Sequence, residues 1–483
     1  MVSMIFFRTL TPQLVKIKDE QLKEIHGPEG TQNEPTTFHE EAWECRLDLL
    51  NCVPEFLKQN RFKLLWMATY RSKEHGGRGE AHLRDTLGWD RRIKAVRQGA
   101  QWIDLEWDES NLNVKINEAR SLGAKTVLSG HFFEKVKDWE KIYMRLSEVD
   151  PDIIKLIGSG NSFQDFRTQR SCYKEAGKPL VHFFMGEEFK STRILSLYYG
   201  APFTFVAPSS HEMVAPGQLN ENDVRTLSEC DFNRKSPFFA IAGYPVSHSR
   251  SPEYHRGSLK VINNNVQFLH FPIQYEKELE DVWELFPELV GLSVTKPLKT
   301  IASKQCKSDD LASVNTLIKH KSHLAGFNTD AHALKNILET IQKEMDIEKP
   351  VVRIIGYGGL GSMAVVVAQD LGYHVQVTNR TFSRLQNCEG GVEKIQWEQR
   401  CEGECHVLLQ ATSLGMGNSN ETPIEKIPNG TKYFIETIYY PKETMLLKMA
   451  LDLGITCFNG AHFFDGQAEE QNRHFCRALK KFN

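Results

Sequence analysis

A glycine-rich turn between two apolar strands constrains the fold of this 483-residue chain more than any other feature. Residues 351–381 read as a strand, a turn, a helix and a second strand, with Gly356, Gly358 and Gly361 in the spacing G-x-G-x-x-G. In that context the glycines permit a tight turn, a close approach of the backbone to a pyrophosphate, and packing of helix on strand. Glycines alone would equally fit an ordinary turn, but the flanking strand and helix favour a dinucleotide-binding βαβ unit. The pyrophosphate is then expected on the amides of the helix N-terminus.

The residues after the second strand indicate which dinucleotide binds. An NAD enzyme usually places an acidic residue against the ribose 2′-hydroxyl. This chain instead has Asn379, Arg380 and Thr381, with Arg384 one helical turn further. Because a cation at this place selects a 2′-phosphate, the sequence predicts NADP as the cofactor.

The composition bounds the class of protein. The length suggests two or three domains, and a net charge of −3 gives no basic field for nucleic acid, so we expect small-molecule partners. The ten cysteines are scattered, and the pair Cys401 and Cys405 has no second pair at metal spacing, so we expect reduced thiols and no structural metal. No apolar run approaches the ~18 residues of a membrane span, and the N-terminus does not read as a signal or transit peptide. A cytoplasmic enzyme without membrane association is therefore expected.

Short apolar runs alternate with polar helical stretches through the first half, at residues 63–70, 102–107, 126–129, 153–157, 181–185 and 203–206. Repeated over about 225 residues, this rhythm predicts a (β/α)8 barrel, whose chemistry lies at the carboxyl ends of its strands. Those ends carry Glu44, Arg46, Arg71, Glu106, His131, Lys155 and Arg193. Single charges there are usually solvated, but Lys155 lies within an apolar strand. Desolvation would lower its pKa and leave a neutral amine able to attack a ketone.

Six motifs of this half, residues 44–48, 69–72, 129–132, 152–155, 191–193 and 215–218, resemble in order those of type I 3-dehydroquinate dehydratases. The resemblance implies that Lys155 forms a Schiff base with the substrate ketone and that His131 is the general base. Because the imine acts as the electron sink, no metal is needed. The resemblance also implies a clamp on the substrate carboxylate and hydroxyls from Glu44, Arg46, Arg71, Arg193 and Gln218.

The first half departs from this family in three places. His75 stands where a glutamate usually orients the catalytic histidine, although a one-residue slip could bring in Glu74. Phe132 replaces an aspartate, and Val214 replaces a serine. We therefore expect a working but slow dehydratase.

After a polar stretch at residues 223–237, the motifs at 243–252, 291–299, 313–316, 326–330, 410–416 and 460–467 together resemble shikimate dehydrogenases. The resemblance implies Lys299 and Asp330 as the catalytic pair. It implies that the substrate is held by Ser249, Ser251, Thr295, Asn315, Tyr439 and Gln467. It places the cofactor on Gly356, Gly358, Gly359, Gly361, Asn379, Arg380, Thr381, Arg384, Thr412, Gly460 and Phe463. Gln410, Glu436 and Phe463 replace the asparagine, aspartate and methionine that are usual at their positions.

The predicted architecture is a barrel at residues 1–227, a substrate-binding domain at 237–335, a Rossmann-type NADP-binding domain at 336–460, and a C-terminal helix at 461–483 that packs back on the substrate domain. The order resembles the bifunctional fusion of plants and chlamydiae, which converts 3-dehydroquinate to 3-dehydroshikimate and then to shikimate. Two alternatives stay open from the sequence. One is an active shikimate or quinate dehydrogenase with an impaired dehydratase, and the other is a non-catalytic regulator of the pathway.

Overall fold

A computed structural model of the chain describes residues 5–16, 18, 42–50, 52–58, 64–207, 215–230, 232–306, 313–388, 390–417 and 420–482. It contains three sheets, of eight, five and six strands, that follow one another along the chain. The predicted order of a barrel, a substrate-binding sheet and a dinucleotide-binding sheet is confirmed. The domain bounds given above stay predictions.

The eight-stranded sheet is a parallel α/β barrel that is nearly closed. Its neighbours run in the order β7-β6-β5-β4-β3-β2-β1-β8, and the described residues show no ladder between β7 and β8. The strands are β1 Ile5–Thr9, β2 Ala42–Arg46, β3 Leu65–Thr69, β4 Trp102–Glu106, β5 Lys125–Phe132, β6 Ile153–Ser159, β7 Leu180–Met185 and β8 Phe203–Val206. The helices are α1 Glu55–Lys58, α2 Ala81–Leu83, α3 Trp89–Arg97, α4 Leu112–Ser121, α5 Trp139–Ser147, α6 Gln164–Glu175, α7 Lys190–Tyr198 and α8 Glu221–Ser228.

The strands of the barrel are buried on both faces, which explains why they read as continuous apolar runs rather than alternating ones. Aromatic side chains fill the interior near the amino ends. Phe7, Trp102 and Phe203 meet edge to face, with ring centroids 5.2 to 5.8 Å apart. This packing leaves the carboxyl ends of the strands free for polar side chains.

The second sheet has the order β10-β9-β11-β12-β13, with β9, β10 and β11 parallel and a final antiparallel hairpin of β12 and β13. Its strands are β9 Phe238–Gly243, β10 Gln267–Pro272, β11 Leu289–Val294, β12 Thr316–Lys319 and β13 Leu324–Phe327. Its helices are α9 Ser251–Ile262, α10 Glu276–Leu285 and α11 Lys299–Gln305, and α12 Thr329–Glu344 leads into the third sheet.

The third sheet is parallel throughout, in the order β16-β15-β14-β17-β18-β19. Its strands are β14 Val351–Ile355, β15 His374–Thr378, β16 Val392–Ile395, β17 Val407–Gln410, β18 Tyr433–Glu436 and β19 Thr456–Phe458. The helices are α13 Gly359–Asp370, α14 Met445–Asp452 and α15 Gly460–Phe482. The strand order reverses between β15 and β17 on either side of β14, and ligands of such sheets bind at this switch point.

Helix α15 returns to the second sheet, where Phe475 and Leu479 are fully buried in a cluster with Phe239 and Phe268. The barrel and the second sheet also share apolar packing, because one buried cluster runs from the barrel strands to β9, β10 and β11. Within the stretch that reads as a polar linker, Phe232 is fully buried and packs on Tyr198 at 4.9 Å between ring centroids. The linker is therefore packed against both neighbours.

None of the described helices is long and apolar enough to cross a membrane. All ten cysteines are free thiols.

Candidate active sites

A cavity of about 460 Å³ opens at the carboxyl ends of the barrel strands. All seven residues that the sequence predicts for this site line it: Glu44, Arg46, Arg71, His131, Lys155, Arg193 and Gln218. The structure thus brings together side chains that are up to 174 positions apart in the sequence, from Glu44 to Gln218. Their individual roles stay predictions.

Lys155 is the amine at the centre of this cavity. It is 4% exposed, and its Nζ lies 3.4 Å from Asp104 Oδ2 and 4.1 Å from the centroid of the Phe205 ring. Burial is the largest effect on the pKa of Lys155 and lowers it, Asp104 opposes this shift, and the charge of Arg71 adds to it, so that the pKa lies at about 8. A substantial share of the amine is therefore neutral near physiological pH.

Arg71 is held by carboxylates rather than left free for ligand. Its Nη2 lies 2.9 Å from Asp104 Oδ2, and its Nη1 donates to Glu106 Oε1 at 3.1 Å and to Ser129 Oγ at 2.8 Å. Burial alone would raise the pKa of Asp104, but Arg71 and Lys155 together lower it. Asp104 is thus an ionised carboxylate between two cations, and it places Lys155 in the cavity.

His131 is buried beside these cations. Burial, followed by the charges of Arg71 and Lys155, lowers the pKa of His131 well below its usual range, so the ring is neutral and can accept a proton. Its Nδ1 is buried without a hydrogen-bond partner in the described part of the chain. The backbone N–H of His131 donates to Nδ1 of His75 at 3.4 Å, and the two rings are 5.9 Å apart.

The structure decides the one-residue choice between Glu74 and His75. Both lie in the short 3-10 turn Lys73–His75, where His75 is buried and Glu74 is exposed. The slip that would bring the Glu74 carboxylate to His131 does not occur. His75 itself reaches a carboxylate, since its Nε2 lies 3.1 Å from Asp108 Oδ1.

The other two departures differ in kind. Phe132 packs outside the cavity against Trp107 and Trp139, at 5.8 and 5.4 Å between ring centroids, so its apolar side chain is accommodated there. Val214 lies outside the described residues.

Arg193 is the least compensated of the buried cations in this cavity, since only the more distant charge of Glu187 opposes the effect of burial on its pKa. It is 2% exposed, and its Nη2 donates a hydrogen bond to the carbonyl oxygen of Pro216 at 3.4 Å. Its guanidinium lies 4.1 Å from the centroid of the Phe183 ring, and burial lowers its pKa to about 9. Over the described ranges no carboxylate lies within ion-pair distance, so Arg193 suits an anionic substrate group.

The remaining cavity residues are fixed by neighbours. Glu44 is 5% exposed and accepts a hydrogen bond from Thr9 Oγ1 at 2.8 Å. Arg46 makes a bidentate pair with Asp48, at 2.8 and 2.7 Å. Gln218 is buried at the end of the segment 215–218. Three polar types, a carboxylate, a guanidinium and an amide, therefore face the cavity in fixed positions.

His75, Glu106 and Asp108 are close enough to hold a metal ion, with ligand atoms within 4.8 Å of one another. Arg84 already occupies the space between the two carboxylates, because its Nη1 donates to Glu106 at 2.9 Å and to Asp108 at 2.7 Å. A divalent cation at this place would meet a guanidinium, and we assign no metal site here.

The second site lies at the carboxyl edge of the substrate sheet. Lys299, the first residue of α11, donates a hydrogen bond to Asp330 Oδ2 in the first turn of α12. The side chain of Lys299 is 27% exposed and that of Asp330 is 8% exposed. The predicted pair is therefore in direct contact, with the ammonium open on one side.

An amide network adjoins this pair. Asn315 donates from Nδ2 to Thr329 Oγ1 at 2.8 Å and to Gln467 Oε1 at 3.4 Å, and its Oδ1 accepts from the N–H of Thr329 at 2.9 Å. Gln471 supports the network from α15 by donating to the carbonyl oxygen of Asn315 at 2.9 Å. Helix α15 thus fixes the orientation of both predicted substrate amides.

Hydroxyl groups form another part of the predicted substrate site. Tyr439 is hydrogen-bonded to Ser249, which opposes the rise in its pKa that burial causes. The N–H of Ser251 donates to Ser249 Oγ at 3.3 Å. Thr295 follows β11, and its N–H bonds to the carbonyl oxygen of Ala242 at 2.9 Å, beside the start of the serine-bearing loop.

Glu436 stabilises the turn that leads to Tyr439. It is fully buried, and it accepts hydrogen bonds from the N–H of Thr437 at 2.8 Å and of Ile438 at 3.0 Å. Thr444 donates to its other oxygen at 2.6 Å. Since all three bonds suit a glutamate, this replacement of aspartate preserves a buried cap on the turn before Tyr439.

The glycine turn has the geometry expected of a dinucleotide site. Gly356 has a φ of +102°, and a Cβ on Gly361 would lie 2.0 Å from the carbonyl oxygen of Gly356, so no larger side chain fits there. A Cβ on Gly358, the N-cap of α13, would meet no atom within 4 Å, and a Cβ on Gly359 would meet only Ser313, at 4.0 Å. The first amides of α13 are therefore accessible to an anion.

The side chain of Asn379 stabilises the glycine turn, whereas the two nearby arginines are exposed. Asn379 Oδ1 accepts from the N–H of Tyr357 at 3.1 Å, and its Nδ2 donates to the carbonyl oxygen of Thr381 at 2.9 Å, so it holds the turn. Arg380 and Arg384 are exposed, and no ion pair is found for either within the described ranges. Thr381 is also exposed at the start of the 3-10 turn Phe382–Asn387.

The remaining predicted cofactor residues lie around the switch point. Gln410 accepts from the N–H and Oγ1 of Thr412, both at 3.1 Å, and thereby closes the loop after β17. A Cβ on Gly460 would lie 1.9 Å from the carbonyl oxygen of Ile438, so α15 starts in contact with the turn before Tyr439. Phe463 is 6% exposed and packs in the apolar core of the third sheet.

Sequence reasoning missed four side chains that organise these sites: Asp48, Asp104, Asp108 and Gln471. Asp104 had a local signal, because it alternates with Glu106 on one strand. Asp48 had one as well, because it lies two residues after Arg46, with which it pairs. Asp108 and Gln471 act across long sequence separations, and no spacing in the sequence marks them.

Two family models match the chain. Residues 33–235 match type I 3-dehydroquinase, and residues 241–317 match the shikimate dehydrogenase substrate binding domain. The chain therefore combines a type I 3-dehydroquinase domain, a lyase, with a shikimate dehydrogenase domain, an oxidoreductase, which are two enzymes of the shikimate pathway.

Individual relatives and one solved structure are similar to large parts of the chain. The chain is 28% identical over 440 residues to the chloroplastic bifunctional 3-dehydroquinate dehydratase/shikimate dehydrogenase of Arabidopsis thaliana, covering 83% of this chain and 71% of that protein. It is 29% identical over 334 residues to the pentafunctional AROM polypeptide of Zygosaccharomyces rouxii, covering 65% of this chain but only 20% of that protein. The solved dehydroquinate dehydratase and shikimate dehydrogenase from S. pombe AroM is 20% identical, with a TM-score of 0.40 over 99% of this chain and 98% of that one.

The placement of Lys155 predicts the pH dependence of dehydration. Below its pKa of about 8 the amine is protonated and cannot attack, so kcat/KM should rise with pH through that value. Because Asp104 raises the pKa of Lys155, Asp104→Asn should move this rise to lower pH, by about 1 unit. The measurement is kcat/KM for 3-dehydroquinate against pH, followed at the enone band. The control is Asp90→Asn, an exposed carboxylate in α3, and a shift of the Asp104→Asn profile to higher pH would contradict the assignment.

Proposed function

We propose that the barrel cavity dehydrates 3-dehydroquinate to 3-dehydroshikimate and that the dehydrogenase module then reduces 3-dehydroshikimate to shikimate with NADPH. One observation carries the proposal. The seven residues that the resemblance implies line a single cavity around a buried lysine whose pKa is lowered to about 8.

Dehydration needs a neutral amine, a base and an anion site, and the cavity offers all three. Neutral Lys155 Nζ attacks the ketone carbon, and the carbonyl oxygen leaves as water to give an imine. Neutral His131 accepts the proton on the carbon next to the imine, whose nitrogen takes up the electrons, and returns it to the departing hydroxyl, which leaves as water. Hydrolysis of the product imine restores Lys155. Arg193 pairs with the substrate carboxylate, which gives its buried guanidinium the anion it lacks.

Reduction needs a proton for the new hydroxyl, and the Lys299 ammonium can donate it. Asp330 accepts a hydrogen bond from Lys299 and so holds the ammonium in place. The hydroxyls of Ser249, Ser251, Thr295 and Tyr439 and the amides of Asn315 and Gln467 bind the polyol carboxylate. NADPH supplies the hydride when bound.

The residues around the glycine turn fit NADP. The open amides of α13 suit the pyrophosphate, and two exposed arginines follow β15, where the 2′-phosphate of NADP is expected. Thr412, Gly460 and Phe463 are proposed to border the nicotinamide. Asn379 is proposed to act through the backbone of the turn, since its side chain is occupied there.

One observation favours a weaker dehydratase. His75 replaces the glutamate that is usual beside the catalytic histidine, and the structure leaves Glu74 exposed. The Asp108 carboxylate contacts His75 and not the ring of His131, so it can act on His131 only through His75. We therefore expect dehydration to be slower than reduction. Purified protein supplied with 3-dehydroquinate and NADPH should transiently accumulate little 3-dehydroshikimate, because the first step limits the flux.

The proposed partners are the small molecules named above, without nucleic acid. A cytoplasmic location stays a prediction, and the Arabidopsis relative is chloroplastic. Fractionation of cells that express the native gene would test it.

Lys155 should be the residue that forms the imine. Borohydride added together with 3-dehydroquinate should fix the reduced ligand mass on the peptide that contains Lys155, and Lys155→Met should abolish both the adduct and dehydration. The measurement is peptide mass spectrometry. Lys125→Met is the matched control, because Lys125 lies on a barrel strand but at its opposite, amino end. An adduct on another lysine would refute the assignment.

Arg380 should discriminate the two dinucleotides. A charge-assisted contact contributes roughly 1.5–3 kcal/mol, so Arg380→Ala should raise KM for NADPH about tenfold or more and leave KM for NADH nearly unchanged. Arg384→Ala should act in the same direction. Steady-state kinetics with each cofactor provide the test, with exposed Arg97→Ala in the barrel as the control. Equal weakening of NADPH and NADH would rule out contact with the 2′-phosphate.

A further inference from the structure

The 3-10 turn Glu187–Phe189 joins two loops that belong to different active sites. It follows β7 and leads into α7, the helix that carries Arg193. One of the loops is the segment 215–218 of the dehydratase cavity, called here the dehydratase loop. The other is the segment 244–250, called the dehydrogenase loop, which carries Ser249.

Two consecutive glutamates make these contacts. Glu187 Oε1 accepts a hydrogen bond from the N–H of Gly217 at 2.8 Å, in the dehydratase loop. Glu188 Oε2 accepts from the N–H of Val246 at 2.8 Å and of Ser247 at 3.1 Å, in the dehydrogenase loop. The hydroxyl of Ser247 also donates to Glu188 Oε1. A single short turn therefore caps both loops.

The contact with the dehydratase loop is tight. The N–H of Gly186 donates to the carbonyl oxygen of Pro216 at 3.3 Å, and a Cβ on Gly217 would lie 2.2 Å from the carbonyl oxygen of Gly186. Arg193, the proposed carboxylate binder, also donates to Pro216. A ligand that engages Arg193 or Gln218 therefore acts on a loop that is already in backbone contact with the turn.

The turn is also anchored to the shared core. Phe189 is 6% exposed and lies 6.1 Å from Phe166, which in turn packs on Phe271 of β10 at 5.3 Å. Since Glu187 and Glu188 are consecutive residues of a three-residue turn, we expect a displacement of one to shift the other. The interactions with the two loops are therefore mechanically linked.

Another contact across the same interface involves neither loop. Arg167 of α6 pairs with Asp281 of α10 at 3.0 Å. Neither residue belongs to the predicted substrate-binding set. This ion pair therefore supplies a matched control for the glutamates.

We propose that Glu187 and Glu188 are positioning residues that couple the two active sites, an inference that rests on the proposed function. A ligand in the barrel cavity orders the dehydratase loop, and the turn transmits this order to the dehydrogenase loop, which binds shikimate or 3-dehydroshikimate more tightly. Both sets of contacts are present together in this structure, so one conformation serves both loops. By linkage, a ligand in the dehydrogenase also favours binding in the barrel.

The first test separates binding from turnover. Glu188→Ala should raise KM for shikimate about fivefold in the oxidation with NADP⁺, the loss expected for one or two hydrogen bonds, and should change kcat less than twofold. Glu188→Gln, which keeps the shape but only one acceptor, should give a smaller rise and guards against misfolding of the alanine variant. Asp281→Asn is the control. An equal rise in Asp281→Asn would show that the interface as a whole, and not Glu188, determines KM.

The second test measures the coupling itself. Ligand is fixed at Lys155 with 3-dehydroquinate and borohydride, and KM for shikimate is compared with that of enzyme treated with borohydride alone. Shikimate is the probe because it has no ketone and forms no imine in the barrel. Fixed ligand should lower KM for shikimate about fivefold in the wild-type chain and not at all in Glu187→Ala or Glu188→Ala.

The outcomes distinguish this inference from the function on which it rests. If the wild-type chain forms the adduct and oxidises shikimate at the normal rate, but its KM for shikimate is unchanged, only the coupling is overturned. A shift that persists in both alanine variants overturns the role of the glutamates. The absence of an adduct, or of shikimate oxidation, in the wild-type chain contradicts the proposed function and the coupling with it.

Discussion

The barrel site depends on how three buried cations are compensated. Removing a charge from water is costly unless a partner replaces the solvent. Arg71 has two carboxylate partners, Asp104 and Glu106, and stays firmly charged. Lys155 shares only Asp104, at 3.4 Å, so burial lowers its pKa. Arg193 has no carboxylate partner in the described part of the chain and suits an anionic ligand. Under the proposed mechanism, this unequal compensation suits the three cations to different roles.

The proposed reactions require lysines in opposite protonation states. Reduction of a ketone consumes a proton, so the amine must be charged, and the structure keeps Lys299 27% exposed and in contact with Asp330. Dehydration requires a nucleophile, so the amine must be neutral, and the structure buries Lys155. In the proposed mechanism the same residue type serves as proton donor in one half of the chain and as nucleophile in the other, and the two lysines differ in solvent exposure.

Local patterns were sufficient to predict much of the structure. The strand rhythm, the glycine turn and the isolation of Lys155 in an apolar strand all depend on neighbours in sequence, and each is found as predicted. Asp108 and Gln471 were not predicted, because they act through contacts that only the folded chain creates. The choice between Glu74 and His75 was also not predictable, since a one-residue rotation of a 3-10 turn decides which side chain is buried.

The two enzymes on this chain share a continuous apolar core. A polar sequence between them predicts a linker, yet Phe232 within it is fully buried and the apolar core continues from the barrel into β9. A continuous core fixes the orientation of the two halves, because close-packed interiors transmit small displacements. Once the orientation is fixed, a loop of the barrel can serve the dehydrogenase at no further entropic cost. Glu188 has this role in the proposed coupling, since it belongs to one enzyme and caps the substrate loop of the other.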